Sequence, residues 1–288
     1  HIAVLLFGFT AILGDLILLP AFWLVWWRVL LASGAILIFL GFQKIRNGVT
    51  TQLMLKYALI GVLVGMHWVT FYGAIKLSNA SLAVVCLATT SFMTSLLEPL
   101  ILRQPFRWYE AGLGLMIIPG MLLIVNGSPS EYNWAILVGL ISALLASTFA
   151  ILNKSIVHTN KPLVISFYEL GSAWLFLLLL SPAIYFGFDA KPIMPERWID
   201  WFYLALLTFL CTNLAYVLTL KALKHLSAFA SNLTINLEPV YGVFLGWLLL
   251  NDAEELDTKF YIGAGIIVCS VMLYPLVRKW RRKRNLDT

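Results

Sequence analysis

The chain has 288 residues, of which 61% are hydrophobic and 12% are charged, and its formal net charge is +6. A soluble domain carries about 25% charged residues, so this composition excludes a soluble globular protein. The apolar runs are continuous and rich in leucine rather than alternating, which excludes a transmembrane β-barrel. We therefore predict an all-α membrane protein.

Ten apolar runs follow one another along the chain. A bilayer core needs about 20 apolar residues per helix, and the runs between charges, prolines and glycines are of that length. The predicted spans are 2–19, 22–42, 55–75, 79–101, 109–126, 133–155, 163–186, 199–220, 226–250 and 260–277. Most connections are short, and only the segment 189–198 is long enough to form a surface strap.

The basic residues predict the orientation of these spans. If the N-terminus is cytoplasmic, fifteen of the 20 lysines and arginines fall in inner loops and the tail, and four fall in outer loops. Such an excess predicts that both chain ends are cytoplasmic. Six of the seven residues from Arg278 to Arg284 are basic and directly follow the last span. We expect this tail to bind anionic lipids rather than nucleic acid.

A weak internal repeat relates the stretches Ala74–Leu102 and Ala222–Leu250, which lie 148 residues apart. Both begin with an alanine followed two residues later by a lysine, and both end in leucine-rich runs. Two sets of five spans must run in opposite directions through the membrane, because five is odd. We therefore predict an inverted 5+5 repeat around a central cavity, with a first unit over 1–130, a second over 131–278 and a basic tail over 279–288.

Charged residues inside spans are costly, so each one needs a reason. A residue about ten positions into a span lies near the membrane midplane. Glu238 lies about twelve residues into the ninth span and is the leading candidate for substrate or proton binding; alternatively, it is a protonated acid that only holds a kink at Pro239. His67 lies at a similar depth in the third span, either as a proton carrier or as a neutral core histidine.

Arg28 and Glu169 occupy corresponding places in the second and seventh spans. They either pair with each other or each find a serine, a tyrosine or a freed backbone carbonyl. An Arg28 that is free in the cavity would suit a carboxylate. Asp15 is a candidate gate residue, and Glu98 is expected to form a solvated ion pair near the inner surface.

The remaining candidates are polar or aromatic side chains at similar depth. The full set of predicted binding or gating residues is Glu238, His67, Arg28, Glu169, Asn213, Tyr216, Trp68, Tyr72, Thr90, Asn236 and Asp15. Asn213 and Tyr216 are three residues apart and should share a helix face. Asn232 and Asn236 cannot both share a face with Glu238, so we expect only one of them to line the cavity.

The cysteines and glycines are interpreted as packing residues. Cys86, Cys211 and Cys269 lie in apolar runs without CxxC spacing, which predicts neither a disulfide nor a metal site, and no cofactor is expected. The GxxxG patterns at 61–65 and 242–246 predict close helix contacts. Spans five and ten read as outer supports or a dimer surface, which suits a monomer or a weak homodimer.

Several features together resemble the EamA type of the drug/metabolite transporter superfamily. They are the five-plus-five layout, the Trp27-Arg28 pair, the alanine-lysine start of spans four and nine, and the segment LEPVYGVFLGWLLL. The resemblance implies ten helices around a central cavity and the movement of small metabolites, often amino acids or amphipathic compounds, usually outward. It implies a location in a bacterial cytoplasmic membrane.

These observations predict a secondary transporter that exports a small metabolite by alternating access. Proton coupling through Glu238, assisted by His67 or Glu169, is a hypothesis that rests on depth and titratability. A passive pore or scramblase of the same fold is one alternative. An intramembrane enzyme is a weaker one, because the sequence has no HExxH or Gly-x-Ser-x-Gly motif.

Overall fold

The computed structural model describes residues 1–124, 132–188, 191, 193–238, 240–241 and 258–283. Within these ranges the regular structure is entirely helical, as predicted. The helices are α1 (Ile2–Leu16), α2 (Ala21–Leu40), α3 (Phe42–Arg46), α4 (Thr51–Leu77), α5 (Ala80–Leu102), α6 (Trp108–Ile124), α7 (Asn133–Ile156), α8 (Pro162–Phe188), α9 (Trp198–Thr208), a π-helical turn (Phe209–Leu214), α10 (Ala215–Leu223), α11 (Ala228–Ile235) and α12 (Thr258–Lys283).

Seven helical segments in the described ranges are long and apolar enough to cross a bilayer. They are Ala21–Leu40, Thr51–Leu77, Leu82–Leu102, Asn133–Ile156, Pro162–Gly187, Trp198–Leu223 and Tyr261–Arg281. Shorter apolar helices, Ile2–Leu16 and Trp108–Leu123, occupy the places of the predicted first and fifth spans. The predicted ninth span is described only as far as residue 241. The protein is thus an integral membrane protein, and the total of ten spans stays a prediction.

Polar residues mark where several helices begin. Thr50 accepts a hydrogen bond from the backbone N–H of Leu53 at the start of α4, and Asn79 accepts one from Leu82 at the start of α5. Ser227 does the same for α11. These side chains satisfy N–H groups that have no partner inside the helix. They place the helix starts within a few residues of the predicted ones.

The helices of the two predicted halves interlock. The third span of the first half, α4, packs on α7 and α8, which are the first two spans of the second half. The third span of the second half, formed by α9, the π-helical turn and α10, packs on α1 and α2, the first two spans of the first half. Each third span thus contacts the first two spans of the other half, which is what a two-fold repeat produces. The unit boundaries at 130 and 278 stay predictions.

Helices α6 and α12 pack against each other at the side of the bundle. Much of α12 is exposed, so these helices form an outer layer, as we expected of spans five and ten. Cys86 and Cys211 are buried, but Cys269 in α12 is exposed. The prediction that Cys269 is a packing residue is therefore wrong, because in the described part of the structure its side chain lies on an exposed side of α12.

The glycine pattern at 61–65 lets α4 approach α8 closely. A methyl group added at Gly61 would collide with the backbone carbonyl of Glu169 and with the hydroxyl of Ser172. One added at Gly65 would lie 3.3 Å from the Cβ atom of Ala173. The predicted packing role of this pattern is confirmed, whereas the second pattern, at 242–246, lies outside the described residues.

We expect Gly61→Ala to lower the apparent melting temperature of the purified protein in detergent. The added methyl group meets backbone atoms that cannot rotate away, and overpacking of this kind costs about 1–3 kcal/mol. Gly34→Ala is the matched control, since nothing lies within 4 Å of a methyl group there. That control should leave stability unchanged or raise it slightly, because alanine favours helix more than glycine does. Equal melting temperatures for the two variants would contradict the prediction.

Candidate functional site

A cavity lies at the centre of the bundle, between helices of the two predicted halves. The cavity has a volume of about 90 Å³. Aromatic and aliphatic side chains form most of the wall. Polar side chains reach it from α1, α2, α4, α5, α7, α10 and α11, together with Glu238. An apolar cavity with a few convergent polar groups is typical of a small-molecule site.

Arg28, in the middle of α2, is fully buried and is held by neutral partners. Its Nε donates to Thr212 Oγ1 at 2.5 Å, and Nη1 donates to the Tyr72 hydroxyl at 2.7 Å. Its Nη2 donates to the backbone carbonyl of Cys211 at 3.3 Å. The guanidinium carbon lies 4.0 Å from the centre of the Trp68 ring. Three of its five N–H groups are thus used, and the side chain also reaches the cavity.

The π-helical turn Phe209–Leu214 supplies two of these partners. The hydroxyl of Thr212 donates to the carbonyl of Leu207, five residues earlier, and accepts from Arg28. A π-helical turn widens the helix, and such turns are frequent at functional sites.

The partners of Arg28 are Thr212, Tyr72 and the carbonyl of Cys211, so Arg28 does not pair with Glu169. Of the two arrangements that the sequence left open, the structure has separate neutral partners.

Glu169, in α8, is also fully buried. Its Oε2 accepts a hydrogen bond from the Tyr216 hydroxyl at 2.6 Å and a longer one from Asn153 Nδ2 at 3.5 Å. In the described ranges, no group forms a hydrogen bond with its Oε1. Tyr216 and Asn153 line the cavity, but Glu169 does not. The carboxyl group therefore lies one side chain away from the cavity.

His67, in α4, lines the cavity and has a defined orientation. Its Nδ1 lies 3.0 Å from the carbonyl oxygen of Ser142 and 2.8 Å from the hydroxyl. The Ser142 hydroxyl donates to the backbone carbonyl of His67 at 3.0 Å. Because the nearby carbonyl can only accept, we infer that Nδ1 carries the hydrogen. In the neutral ring, Nε2 is then a free acceptor.

Two asparagines of the second half connect to α5. Asn232 Nδ2 donates to Thr94 Oγ1 at 2.7 Å, and Asn236 Nδ2 donates to Ser91 Oγ at 2.9 Å. Both asparagines line the cavity, so the prediction that only one of them does is wrong. The reason is that Asn232 and Asn236 are four residues apart and share one helix face. Because α11 ends at Ile235 and a turn follows, Glu238 comes to the same side.

Glu238 lines the cavity directly after this turn and is 6% exposed. Among the described residues it has no hydrogen-bond partner, and it interacts electrostatically with Arg28. Thr90, in α5, also lines the cavity, and its buried hydroxyl has no partner. Pro239, which we expected to kink this segment, lies outside the described residues. The cavity thus contains polar groups that no other described residue satisfies.

The structure brings seven of the eleven predicted residues together around the cavity. They are Glu238, His67, Arg28, Tyr216, Trp68, Thr90 and Asn236. Glu169 and Tyr72 lie behind this lining, bonded to Tyr216 and Arg28 respectively. Asn213 points away and donates to the carbonyl of Ala32 at 3.2 Å.

The prediction that Asn213 shares a face with Tyr216 is therefore wrong. Asn213 lies in the π-helical turn, which has more residues per turn than an α-helix and rotates it away from Tyr216. Asp15 is exposed and also does not line the cavity, although its backbone carbonyl accepts a hydrogen bond from Lys76 at 3.2 Å.

Sequence reasoning missed seven polar or aromatic cavity residues, besides the aliphatic ones. They are Phe7, Thr10, Phe71, Phe149, Asn153, Thr219 and Ser231. Asn153 carried a usable signal, because an amide inside an apolar run is unusual. The other six are of types that also pack against neighbouring helices or lipid, so the sequence does not distinguish them.

Cations hold the last carbonyls of α1 at one end of the bundle. Lys76 donates to the carbonyl of Ile17 at 2.9 Å, and Arg197 donates to that of Leu16 at 2.9 Å. Arg197 also pairs with Asp200, and this hydrogen bond raises the pKa of Arg197 above its ordinary value. Positive charges at a helix C-terminus are favourable. These contacts fix α1 to α4 and to the start of α9.

Glu98 lies at the other end, which we call the basic end because Arg107 and the basic tail helix are there. Glu98 is only 4% exposed, and its carboxylate accepts hydrogen bonds from the backbone N–H groups of Ala228 and Phe229 at 3.1 and 2.7 Å. The prediction of a solvated ion pair is therefore wrong. The sequence could not show that α11 begins beside this side chain.

Comparisons with known proteins identify the family and the fold. The model of the EamA-like transporter family matches residues 1–126 and 133–274. No curated protein matches the chain. A crystal structure of a protein superposes with a TM-score of 0.75 at 16% identity, covering 99% of this chain and 96% of that one. At such low identity, this similarity concerns the fold alone.

Proposed function

Because the chain belongs to the EamA-like transporter family, we propose that it is a secondary transporter that exports a small metabolite by alternating access. The observation that carries this proposal is the central cavity. Helices of both predicted halves line it, and it contains polar groups that have no hydrogen-bond partner among the residues that the structure describes. Sites at the interface of two repeats, near the bilayer midplane, are typical of secondary transporters.

The chemistry of the lining suits an amphipathic substrate such as an amino acid. Arg28 has two N–H groups left for a carboxylate. The Glu238 carboxyl group and the side-chain oxygens of Asn232 and Asn236 are acceptors for an ammonium group. The Trp68 ring and its aromatic neighbours contact the apolar part. The cavity volume of about 90 Å³ suits a small metabolite better than a drug-sized molecule.

We further propose that protons drive export through Glu238. Its carboxyl group faces the cavity, where it can exchange a proton or bind the substrate's ammonium group. His67 lines the same space, and its neutral ring has an acceptor nitrogen. Glu169 has one unpaired oxygen and is connected to the cavity by the Tyr216 hydroxyl. Ionisable groups inside a membrane commonly form such proton relays.

The basic end fits a membrane surface rich in anionic lipids. Arg278, Lys279 and Lys283 lie at one end of a groove between α11 and α12, whose walls are otherwise mostly apolar. Basic groups between transmembrane helices bind acidic headgroups. We propose that these residues contact the inner leaflet of a bacterial cytoplasmic membrane, that both chain ends are cytoplasmic, and that the protein is a monomer or a weak homodimer.

Filling the cavity tests the proposed function. We expect Ala146→Phe to abolish substrate counterflow in proteoliposomes. Ala146 lines the cavity, and the larger phenylalanine side chain would fill the small space inside it. Candidate amino acids and amines come from a thermal-shift screen of the purified protein, and the variant should lose the stabilisation that a hit gives. Leu144→Phe is the matched control, since Leu144 lies on the same helix and is 46% exposed.

The outcomes separate the competing functions. Saturable counterflow that Ala146→Phe removes and Leu144→Phe retains supports the transporter. A flux that never saturates favours a pore or scramblase, and turnover of a labelled compound in detergent favours an enzyme. Counterflow that survives in Ala146→Phe would show that the substrate does not pass through this cavity.

A further inference from the structure

A ladder of polar contacts joins α5 to α11 on the side of the cavity toward the basic end. Its first contact is Asn236 with Ser91, and its second is Asn232 with Thr94, one helical turn further. Both asparagines line the cavity. The helices run antiparallel here, so the ladder leads from the cavity toward the end of α5.

Glu98 makes the last contact of this ladder, one turn beyond Thr94. Its two oxygens accept from the N–H groups of Ala228 and Phe229. Ser227 accepts from the next N–H group, that of Ala230, at 3.1 Å. The side chains of Glu98 and Ser227 thus satisfy the first three free N–H groups of α11. A carboxylate at a helix N-terminus is doubly favoured, by hydrogen bonds to ionised oxygen and by the helix dipole.

This contact differs from the two before it in two ways. It is formed by a carboxyl group rather than an amide, and it binds backbone N–H groups rather than a side chain. Like the other two, it joins α5 of the first predicted half to α11 of the second. Glu98 itself does not line the cavity. On α5 the last lining residue is Thr90, eight positions earlier, whereas on α11 the lining begins at Ser231, two positions after Phe229.

We propose that Glu98 is a gating residue: its carboxylate latches α5 to the N-terminus of α11 and keeps the basic end of the cavity closed. Opening toward the cytoplasm requires α5 and α11 to separate, which breaks the two backbone hydrogen bonds. This inference rests on the proposed function for its role in transport, but the latch itself is a property of the fold.

Cysteine labelling tests the latch without any substrate. Ser231 lines the cavity two residues after Phe229, and Ser231→Cys places a thiol there in a background with Cys86, Cys211 and Cys269 replaced by alanine. A membrane-impermeant thiol reagent is applied to inside-out and right-side-out vesicles. We expect Glu98→Gln to raise the labelling rate in inside-out vesicles by about tenfold, because a neutral amide offers one acceptor in place of two charged ones.

Glu110→Gln is the matched control. Glu110 is a buried carboxyl group at the same end. It accepts hydrogen bonds from Arg107, Tyr109 and Tyr274, and none of the described backbone N–H groups of α11 donates to it. It should label at the parent rate. Equal rates for Glu98→Gln and the parent, or an increase only in right-side-out vesicles, would overturn the latch.

A second variant keeps the test decisive if Glu98→Gln does not fold. Glu98→Asp retains the charge but shortens the side chain, so it reaches the two N–H groups less well, and we expect labelling to rise by a few fold. Parent-like labelling of a folded Glu98→Asp protein counts against the latch. Because the assay needs no transport, its failure and a failure of substrate counterflow are separate results.

Discussion

Replacing Arg28 by alanine is expected to cost the protein about 4 kcal/mol or more of stability. The change removes three hydrogen bonds and the contact with Trp68 at once. It leaves the buried hydroxyl of Tyr72 without its donor. Each buried polar group left unpaired costs about 1–3 kcal/mol, and losses above 4 kcal/mol are rare for a single substitution. The apparent melting temperature in detergent, read against that of the parent, measures the effect.

Arg28→Lys separates the charge from the shape of the side chain. Lysine keeps a positive charge but lacks the planar fork, so it cannot reproduce three divergent hydrogen bonds. We expect a smaller loss of stability than in Arg28→Ala, together with loss of ligand-induced stabilisation in the thermal-shift screen. Lys56→Ala is the control, because Lys56 is exposed and its removal should change stability by less than about 0.5 kcal/mol. A loss below about 1 kcal/mol for Arg28→Ala would mean that the surrounding helices rearrange.

The hydrophobic pattern predicted the helices well because each span must be apolar over a fixed length. The predicted spans one to seven and ten each correspond to one described helix, with ends that differ by a few residues. The predicted eighth span is also helical, but the π-helical turn interrupts it. That turn is invisible in the sequence, since it contains neither proline nor glycine. It decides the partners of Arg28 and the direction of Asn213, so both were beyond a prediction from regular helix geometry.

The depth argument identified intramembrane polar residues but not what they contact. It placed Glu238 and His67 near the midplane, and both line the cavity. It could not separate Glu169, which lies behind Tyr216, from groups that face the cavity. Glu98 was misjudged for a related reason. Its nearest charged neighbours in sequence are Arg103 and Arg107, while its partners in space come from a helix 130 residues further along the chain.

Glu238→Gln is expected to uncouple transport from the proton gradient. The amide fills the volume of the carboxyl group and still accepts a hydrogen bond, so the cavity and the fold should persist. It cannot take up or release a proton. We therefore expect uptake driven by an imposed pH gradient to fall by about tenfold or more, while counterflow under equal pH continues. Both are measured in the same proteoliposomes with a hit from the ligand screen.

Two further variants decide whether Glu238 acts alone. Glu169→Gln keeps an acceptor for Tyr216 and Asn153, so we expect a stable protein with an intermediate loss of gradient-driven uptake if the Tyr216 hydroxyl passes protons between Glu169 and the cavity. Glu110→Gln, at the basic end, should behave like the parent. Gradient dependence that survives in Glu238→Gln would move the coupling site elsewhere. Because the Glu238 carboxyl group has no hydrogen-bond partner in the described part of the chain, it remains the group with the most freedom to alternate between a proton and a substrate.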